Sequence, residues 1–417
     1  MPRDKISEPL GNRACISFSA TYRVGPRTSR NLAFCLHLDM SYNVIILGLG
    51  AMGSAAAQQL AQRGTKVLGI DQFSPPHDKG SSHGGSRMIR QAYGESPFYI
   101  PLVLRAYELW QRLEKDVGSQ LLHITGGLIL GSASGELVTR GIAAATKYAI
   151  THDVLDPAEI CARFPAITPL LGDVAVHEKL AGYLLPEECI RAQLQVASRA
   201  GAALQFEERL LHWTSHPDRV EVTTDRAVYE ADHLVITAGP WAPEALQEIV
   251  PLRVTRQVMF WIQPVAGITS FAPKHFPVFL SESLEDGRPC YGFPAIDGPS
   301  GGVKAAIHGS DIECTPETID RVIHGSDEAA LMGKLAPRFP TLVGQVVKAQ
   351  TCLYTMTPDE HFVIGPHPQA SSVTIACGFS GHGFKFAPVV GEILADLATQ
   401  GKTGHAIEDF SPTRFLL

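Results

Sequence analysis

At 417 residues, 45% hydrophobic and 18% charged, the chain can bury a large core divided between two or three domains, and it is too apolar to stay disordered. A formal net charge of -7 supplies no general basic field, which argues against nucleic acid or an anionic membrane surface as a main partner. No apolar run approaches the ~20 residues of a spanning helix, and eight cysteines without a CxxC pair predict free thiols in a reducing, cytoplasmic setting and no metal site.

Residues 1–40 scatter Arg3, Arg13, Arg23, Arg27 and Arg30 among Ser, Thr and Pro with no period, which predicts a disordered extension or an upstream start, with folding beginning after Met40. An organellar transit peptide is the alternative for such an Arg-rich, acid-poor leader. From Asn43 the chain reads as strand, glycine turn, helix and strand, ending at Asp71, with Gly64 placed where a helix C-cap would be. Ala231 to Trp241 reads as another buried strand closed by a tight turn. Ser372 to Gly378 reads as a third, followed by a glycine-rich loop and a helix from Pro388 to about Thr399. The continuously apolar strands suit a parallel sheet covered on both faces, whereas Val258–Ile262 and Val303–His308 alternate like strands of an antiparallel sheet. The expected fold is α/β, α+β overall. A Rossmann-like dinucleotide domain is assembled from the discontinuous segments 41–125, 186–250 and 346–417, and a substrate domain with a mostly antiparallel sheet from 126–185 and 251–345.

Gly48, Gly50 and Gly53 carry a specific demand. The first turns the chain, the second admits a pyrophosphate and the third lets helix and strand pack closely. Phosphate then sits on the helix N-terminus, and Asp71 at the next strand end can accept both ribose hydroxyls. The pattern does not choose between NAD and FAD. The run from Pro75 to Tyr93 places two arginines three apart, so that on a helical turn Arg87 and Arg90 would share one side. A solvated helix face is the bland reading of such a pair, but a loop leaving this sheet edge lies over the cofactor.

The run reads PPHDKGSSHGGSRMIRQAY, continued by Gly94 and Glu95, and it resembles the PPH, GSxHG, RxIR and AYGE elements of the monomeric sarcosine oxidase and N-methyltryptophan oxidase family, FAD-dependent amine oxidoreductases of the D-amino acid oxidase superfamily. The resemblance spans roughly Ser41 to the C-terminus and is diffuse between Gln111 and Pro251. It implies an FAD-binding domain in which His83 and Arg87 lie with the cofactor and Arg90 pairs with the substrate carboxylate. Gly85-Ser86 stand where many members have Asp-Thr, which bears on polar contacts near the ring.

A second block, Cys352-Leu-Tyr354 with Asp359 and Phe362, matches the family's C-x-Y-x4-D-x2-F, whose cysteine forms a thioether to the flavin. Composition gives no reason to prefer Cys352 among eight cysteines; the resemblance makes it the expected attachment point. The third block, GFSGHGFKF from Gly378 to Phe386, places glycines before a helix, where bared N–H groups can stabilise the negative charge of a reduced flavin. The resemblance assigns Gly381, His382 and Gly383 to the cofactor and Lys385, set between two phenylalanines, to the cofactor and the substrate carboxylate.

Lys304 and His308, four apart on a strand, face the same side. An exposed strand face would explain them equally. The family aligns Tyr291 and His308 beside the substrate and Lys304 as the residue that promotes reaction with oxygen. A fixed ammonium lowers the energy of superoxide in a site of low dielectric. Leu280 replaces a pocket methionine of sarcosine-specific members, and the loop from Tyr291 to Lys304 is longer. The resemblance thus implies a monomeric oxidase that takes a small secondary amine and O2 and yields hydrogen peroxide, formaldehyde and the primary amino acid. The alternatives are a flavin dehydrogenase, an oxidase of N-methyltryptophan, pipecolate or a glycated amino acid, an NAD-dependent dehydrogenase, and a non-catalytic protein that keeps the fold.

Overall fold

The strands of the first sheet that end near the glycine turn are apolar and buried over their carboxyl-terminal halves. Such stretches are stable only if both of their faces are covered. In the computed structural model, which describes residues 41–94, 96–246 and 249–415, that covering is present. The expected N-terminal extension and Glu95 lie outside the described residues. The strand Ser41–Leu47 runs parallel to Val67–Ile70 on one side and to Val228–Ile236 on the other. Ala203–Gln205 extends the sheet beyond Val67–Ile70, and the end of Val228–Ile236 pairs in parallel with Ala370–Cys377. Helices Ala51–Gln62, Pro186–Arg199 and Ala387–Gln400 pack on one face, burying Val44, Ile46, Ala55 and Leu394. Tyr42, Ile45 and Leu47 point the other way into a second cluster with Ala242 and Val373. The Rossmann-like sheet from discontinuous segments is therefore present, with Gly64 at φ +81° just past the first helix as expected.

The second sheet has eight strands. From one edge they are Gln345–Met356, Arg253–Gln263, Val303–Ile307, Cys290–Gly292, Val278–Ser281, Gly127–Ser132, Asp173–Glu178 and His152–Leu155. All neighbours are antiparallel except Val278–Ser281 against Gly127–Ser132. One face buries Phe260, Phe279, Ala305 and Phe339, whereas the other carries Met259, Trp261, Ala306 and Cys352. The long strand Gln345–Met356 pairs along its whole length with Arg253–Gln263. A domain boundary at residue 346 therefore falls inside a strand of the second sheet, and Cys352 reaches the site from that sheet.

A small third sheet joins Arg87–Ile89, Gly182–Leu184 and Leu122–Ile124, all antiparallel. The solvated helix face that would be the bland reading of Arg87 and Arg90 is thus excluded, since the segment is extended chain. Spacing of three places residues on one side of a helix but on opposite sides of a strand, and pairing with Gly182–Leu184 decides for the strand. No helix among the described residues is long and apolar enough to cross a membrane.

The closest backbone approach in the first domain is at Gly53, where an added Cβ would stand 1.8 Å from the Gly48 carbonyl oxygen. Gly53→Ala is expected to cost about 1–3 kcal/mol or more, because neither backbone can retreat without moving strand or helix. Chemical denaturation of the variant checks this, and an unchanged midpoint would show that the turn is looser than described.

Candidate active site

Parallel strands share a direction, so their carboxyl ends open on one edge of the sheet. A cavity of about 410 Å³ lies there, lined by Gly48, Gly50, Asp71, Thr237, Trp241 and Gly383. Gly48 turns the chain at φ +87°, a backbone form that L side chains rarely adopt, and its amide donates to the Ile70 carbonyl at 2.8 Å. Gly50 faces space, with Ser82 Oγ as the nearest atom at 3.9 Å from a Cβ built there. It also begins the helix Ala51–Gln62, whose N-terminus no side chain caps. Room beside uncapped N–H groups is what a pyrophosphate needs, so these residues fit a dinucleotide cofactor.

Asp71 is pinned before any ligand arrives. Its oxygens accept the Leu49 N–H at 2.7 Å and the Phe73 N–H at 2.9 Å. Each carboxylate oxygen has a second lone pair, so capacity for ribose hydroxyls remains. Burial pushes its pKa up to about 6, against the pull of those two amides.

A second cavity of about 670 Å³ adjoins the first, and Arg87, Tyr354, Gly381 and Phe384 line both. This one also brings together Arg90, Tyr291, His308, Cys352, His382 and Lys385, which the sequence distributes over nearly 300 positions. Lys304 stands behind this wall, 2% exposed, with its Nζ donating to Gly84 O at 2.7 Å, Ser86 O at 2.8 Å and Ser86 Oγ at 3.2 Å. Three acceptors match the three protons of an ammonium. Burial and the Arg87 guanidinium nevertheless push its pKa well below the ordinary lysine value. The side chain passes between the rings of Phe293 and Trp261, 4.9 and 5.5 Å from their centroids.

Cys352 sits in front of these cations. Arg87 Nη2 approaches its Sγ at 3.8 Å. Burial alone would raise the thiol, but His83, Arg87 and Lys304 outweigh it and bring the pKa down to about 7. Both ring nitrogens of the buried His83 lack a hydrogen-bond partner among the described residues. The other buried thiols behave oppositely: burial pushes Cys290 up to about 11 and Cys377 up to about 12. Composition could not separate Cys352 from the rest; its neighbours do.

Arg90 and Lys385 converge on Tyr93. The guanidinium carbon lies 4.8 Å and the ammonium 4.9 Å from that ring's centroid, and both side chains are 6% exposed. Lys385 Nζ donates to the His382 carbonyl at 2.8 Å, and Trp110 Nε1 donates to the Lys385 carbonyl at 2.9 Å, which fixes the short turn Phe384–Phe386. Cation–π contact with one ring offsets part of the desolvation of both charges. Tyr291 faces the cavity from its strand and His308 from just past the end of the neighbouring strand Val303–Ile307, with Tyr354 Oη 3.5 Å from His308 Nδ1. Leu280 lines the same cavity.

The chain matches the DAO family, described as FAD dependent oxidoreductase, over residues 43–397. It belongs to that family. Among its relatives, the FAD dependent oxidoreductase is 48% identical over 379 residues to monomeric sarcosine oxidase of Streptomyces avermitilis, with 90% of this chain and 98% of that one covered. It is 39% identical over 383 residues to the monomeric sarcosine oxidase of a Bacillus species, covering 90% and 97%. With N-methyl-L-tryptophan oxidase of Yersinia pestis it shares 34% identity over 378 residues, covering 90% and 100%. Among solved structures it resembles NikD, an amino acid oxidase of nikkomycin biosynthesis, with a TM-score of 0.78 at 24% identity over 89% of this chain and 97% of that one. At that identity the likeness speaks for the fold.

Motif reading missed Tyr93 as the meeting point of the two cations, Tyr354 as the wall shared by both cavities, and two carboxylates, Glu178 and Glu187, that hold the arginine segment. Tyr93 and Tyr354 stand inside the quoted motifs, so their positions were available. Nothing in the local sequence marks the carboxylates.

In flavin-free oxidoreductase, alkylation of Cys352 is expected to accelerate with pH through a midpoint near about 7, since the thiolate is the nucleophile and grows as pH passes the pKa. Removing a cation in Arg87→Gln should move that midpoint upward. Mass mapping of the modified peptide follows it, and a midpoint that stays in place would take Arg87 out of the account.

Proposed function

We propose that this FAD dependent oxidoreductase is an oxidase of small secondary amino acids, with sarcosine or another N-methyl amino acid as substrate and O2 as electron acceptor. The observation that carries this reading is that Arg90 and Lys385, two buried cations both in contact with the Tyr93 ring, line the same cavity as Cys352. Arg90 and Lys385 hold the acid group, and two desolvated cations on one carboxylate are worth about 2 kcal/mol or more each. Tyr291 and His308 border the amine end. Bound FAD supplies the redox chemistry, accepting a hydride equivalent from the carbon beside the amine and returning the electrons to oxygen.

The remaining roles follow from position. Gly48, Gly50, Gly53 and Asp71 receive the dinucleotide, while Gly381, His382 and Gly383 offer backbone and ring contacts beyond the shared wall. Cys352 is the point of covalent attachment, an assignment supported by a thiol that neighbouring cations bring to about 7. Lys304 keeps a positive charge behind the loop of residues 84–86, where reduced oxygen needs a counter-charge. Released imine hydrolyses to formaldehyde and the primary amino acid, and hydrogen peroxide is the co-product. The six described cysteines are all unpaired, which supports a reducing, cytoplasmic location. A monomeric state follows the relatives named above.

A second reading is favoured by the apolar side chains that line this cavity. Leu280, Ile129 and Leu137 wall it, so a bulkier, more apolar N-methyl amino acid is the alternative substrate.

Purified protein should be yellow, with absorbance near about 450 nm as flavins show, and acid precipitation should leave the colour in the pellet. Oxygen uptake with a panel of N-methyl amino acids identifies the substrate. Arg90→Ala and Lys385→Ala should each raise KM by about 30-fold, the equivalent of the ~2 kcal/mol contact. Unchanged KM in both variants would sink the assignment of this pair.

A further inference from the structure

The segment from Gly84 to Ala92 bears both arginines and the carbonyls that receive Lys304, yet it contains a three-residue strand and little else regular. What holds it is a second segment, Glu178 to Glu187. At one end a carboxylate oxygen of Glu187, in the first turn of helix Pro186–Arg199, accepts the N–H groups of Gly84 at 2.7 Å and Gly85 at 3.1 Å. At the other end Glu178, the last residue of its strand, accepts the N–H groups of Gln91 at 2.7 Å and Ala92 at 2.8 Å. Between the two, Arg87, Met88 and Ile89 pair with Leu184, Tyr183 and Gly182. Each carboxylate grips two consecutive amides, and the ladder lies between the grips.

The ladder would align the segment by itself, and neutral acceptors would satisfy four amides without burying charge. Glu178 is 4% exposed, and burial pushes its carboxyl pKa up against the pull of the two amides and of Arg90. Arg90 Nη1 donates to the carbonyl of Ala92, the residue whose N–H Glu178 holds, while Glu187 is coupled electrostatically to Arg87 and Lys304. The geometry also links Glu187 to Lys304 through a single residue. Gly84 gives its N–H to the carboxylate and its carbonyl to the ammonium, at 2.7 Å on both sides. One peptide segment is thus held between a fixed anion and a fixed cation.

We propose that Glu178 and Glu187 are positioning residues that serve different halves of the reaction, Glu178 holding Arg90 in place for the substrate carboxylate and Glu187 holding the Gly84–Ser86 loop, and through it Lys304 and Arg87, for the reaction with oxygen. This rests on the roles assigned above to Arg90 and Lys304. It predicts a separation that a merely structural pair would not show, since loss of general stability would impair both halves together.

The test uses the flavin-loaded protein and the isosteric variants Glu178→Gln and Glu187→Gln. Glu178→Gln should raise KM for the N-methyl amino acid about tenfold and weaken calorimetric binding of acetate by a similar factor, with reoxidation of the reduced enzyme by O2 within about twofold of the parent. Glu187→Gln should slow reoxidation about tenfold and leave KM within about twofold. Hydrogen exchange supplies a readout independent of turnover: Glu187→Gln should speed exchange at Gly84 and Gly85, and Glu178→Gln at Gln91 and Ala92. Variants that impair the same half-reaction, or neither, overturn the division of labour, and unchanged exchange at both amide pairs overturns the clamp. Arg90→Ala and Lys304→Met run in parallel. If they leave KM and reoxidation unaltered, the assigned roles fail, and the exchange measurement still judges the clamp.

Discussion

Positive charge held away from water around a single sulfur is the constraint that shapes this molecule. Lys304 is almost fully buried, and a buried ammonium is tolerated where every proton has an acceptor. The acceptors here are two backbone carbonyls and a hydroxyl from the loop 84–86, so that loop must turn its carbonyls inward. Gly84 and Gly85 make this feasible at φ +96° and +76°. A Cβ on Gly84 would lie 2.7 Å from Met259 Cε, so a larger residue there would also have to displace the methionine tip. The shape of the loop follows from the lysine, and the placement of Arg87 follows from the loop.

The two large sheets meet this constraint from opposite directions. The parallel sheet offers glycine turns and bare helix N–H groups, which suit phosphate but supply little side-chain chemistry. The mostly antiparallel sheet offers long side chains at alternate positions. Trp261 lies directly across from Lys304, Ala306 across from Tyr291, and Cys352 two strands away on the same face. Period-two alternation therefore puts aromatic wall, cation and thiol on one surface while Phe260, Ala305 and Phe279 fill the core behind it. The third sheet is small, but it carries the arginine segment across the gap between the other two.

What the sequence disclosed and what it withheld divide along contact range. Gly48, Gly50, Gly53 and Asp71 act within one turn and the neighbouring strand end, so their spacing encodes their geometry. The strands at Val258–Ile262 and Val303–His308 were legible for the same reason, since alternation is local. The arginine pair was ambiguous because a spacing of three suits one helix face, and a partner strand almost a hundred residues later selected the extended form. Glu187 lies 103 residues from Gly84 and Glu178 lies 86 from Ala92, so no window of sequence contains both sides of either grip. The boundary expected at 346 falls within a strand of twelve residues for a related reason: such a strand pairs with a partner almost a hundred residues earlier, which no local window contains.

The Gly85-Ser86 departure from the Asp-Thr of many family members can now be weighed in the same terms. Ser86 keeps a hydroxyl on Lys304, the contact that a threonine there would also make. Gly85 has open space where its Cβ would be and a positive φ that favours glycine, so a carboxylate is missing from the loop itself. A carboxylate is nonetheless present at that spot, because Glu187 reaches the Gly85 amide from the neighbouring helix. Charge near Lys304 depends on where an anion sits and not on which segment delivers it. In this chain the acid comes from the helix, and it holds the amides of both Gly84 and Gly85.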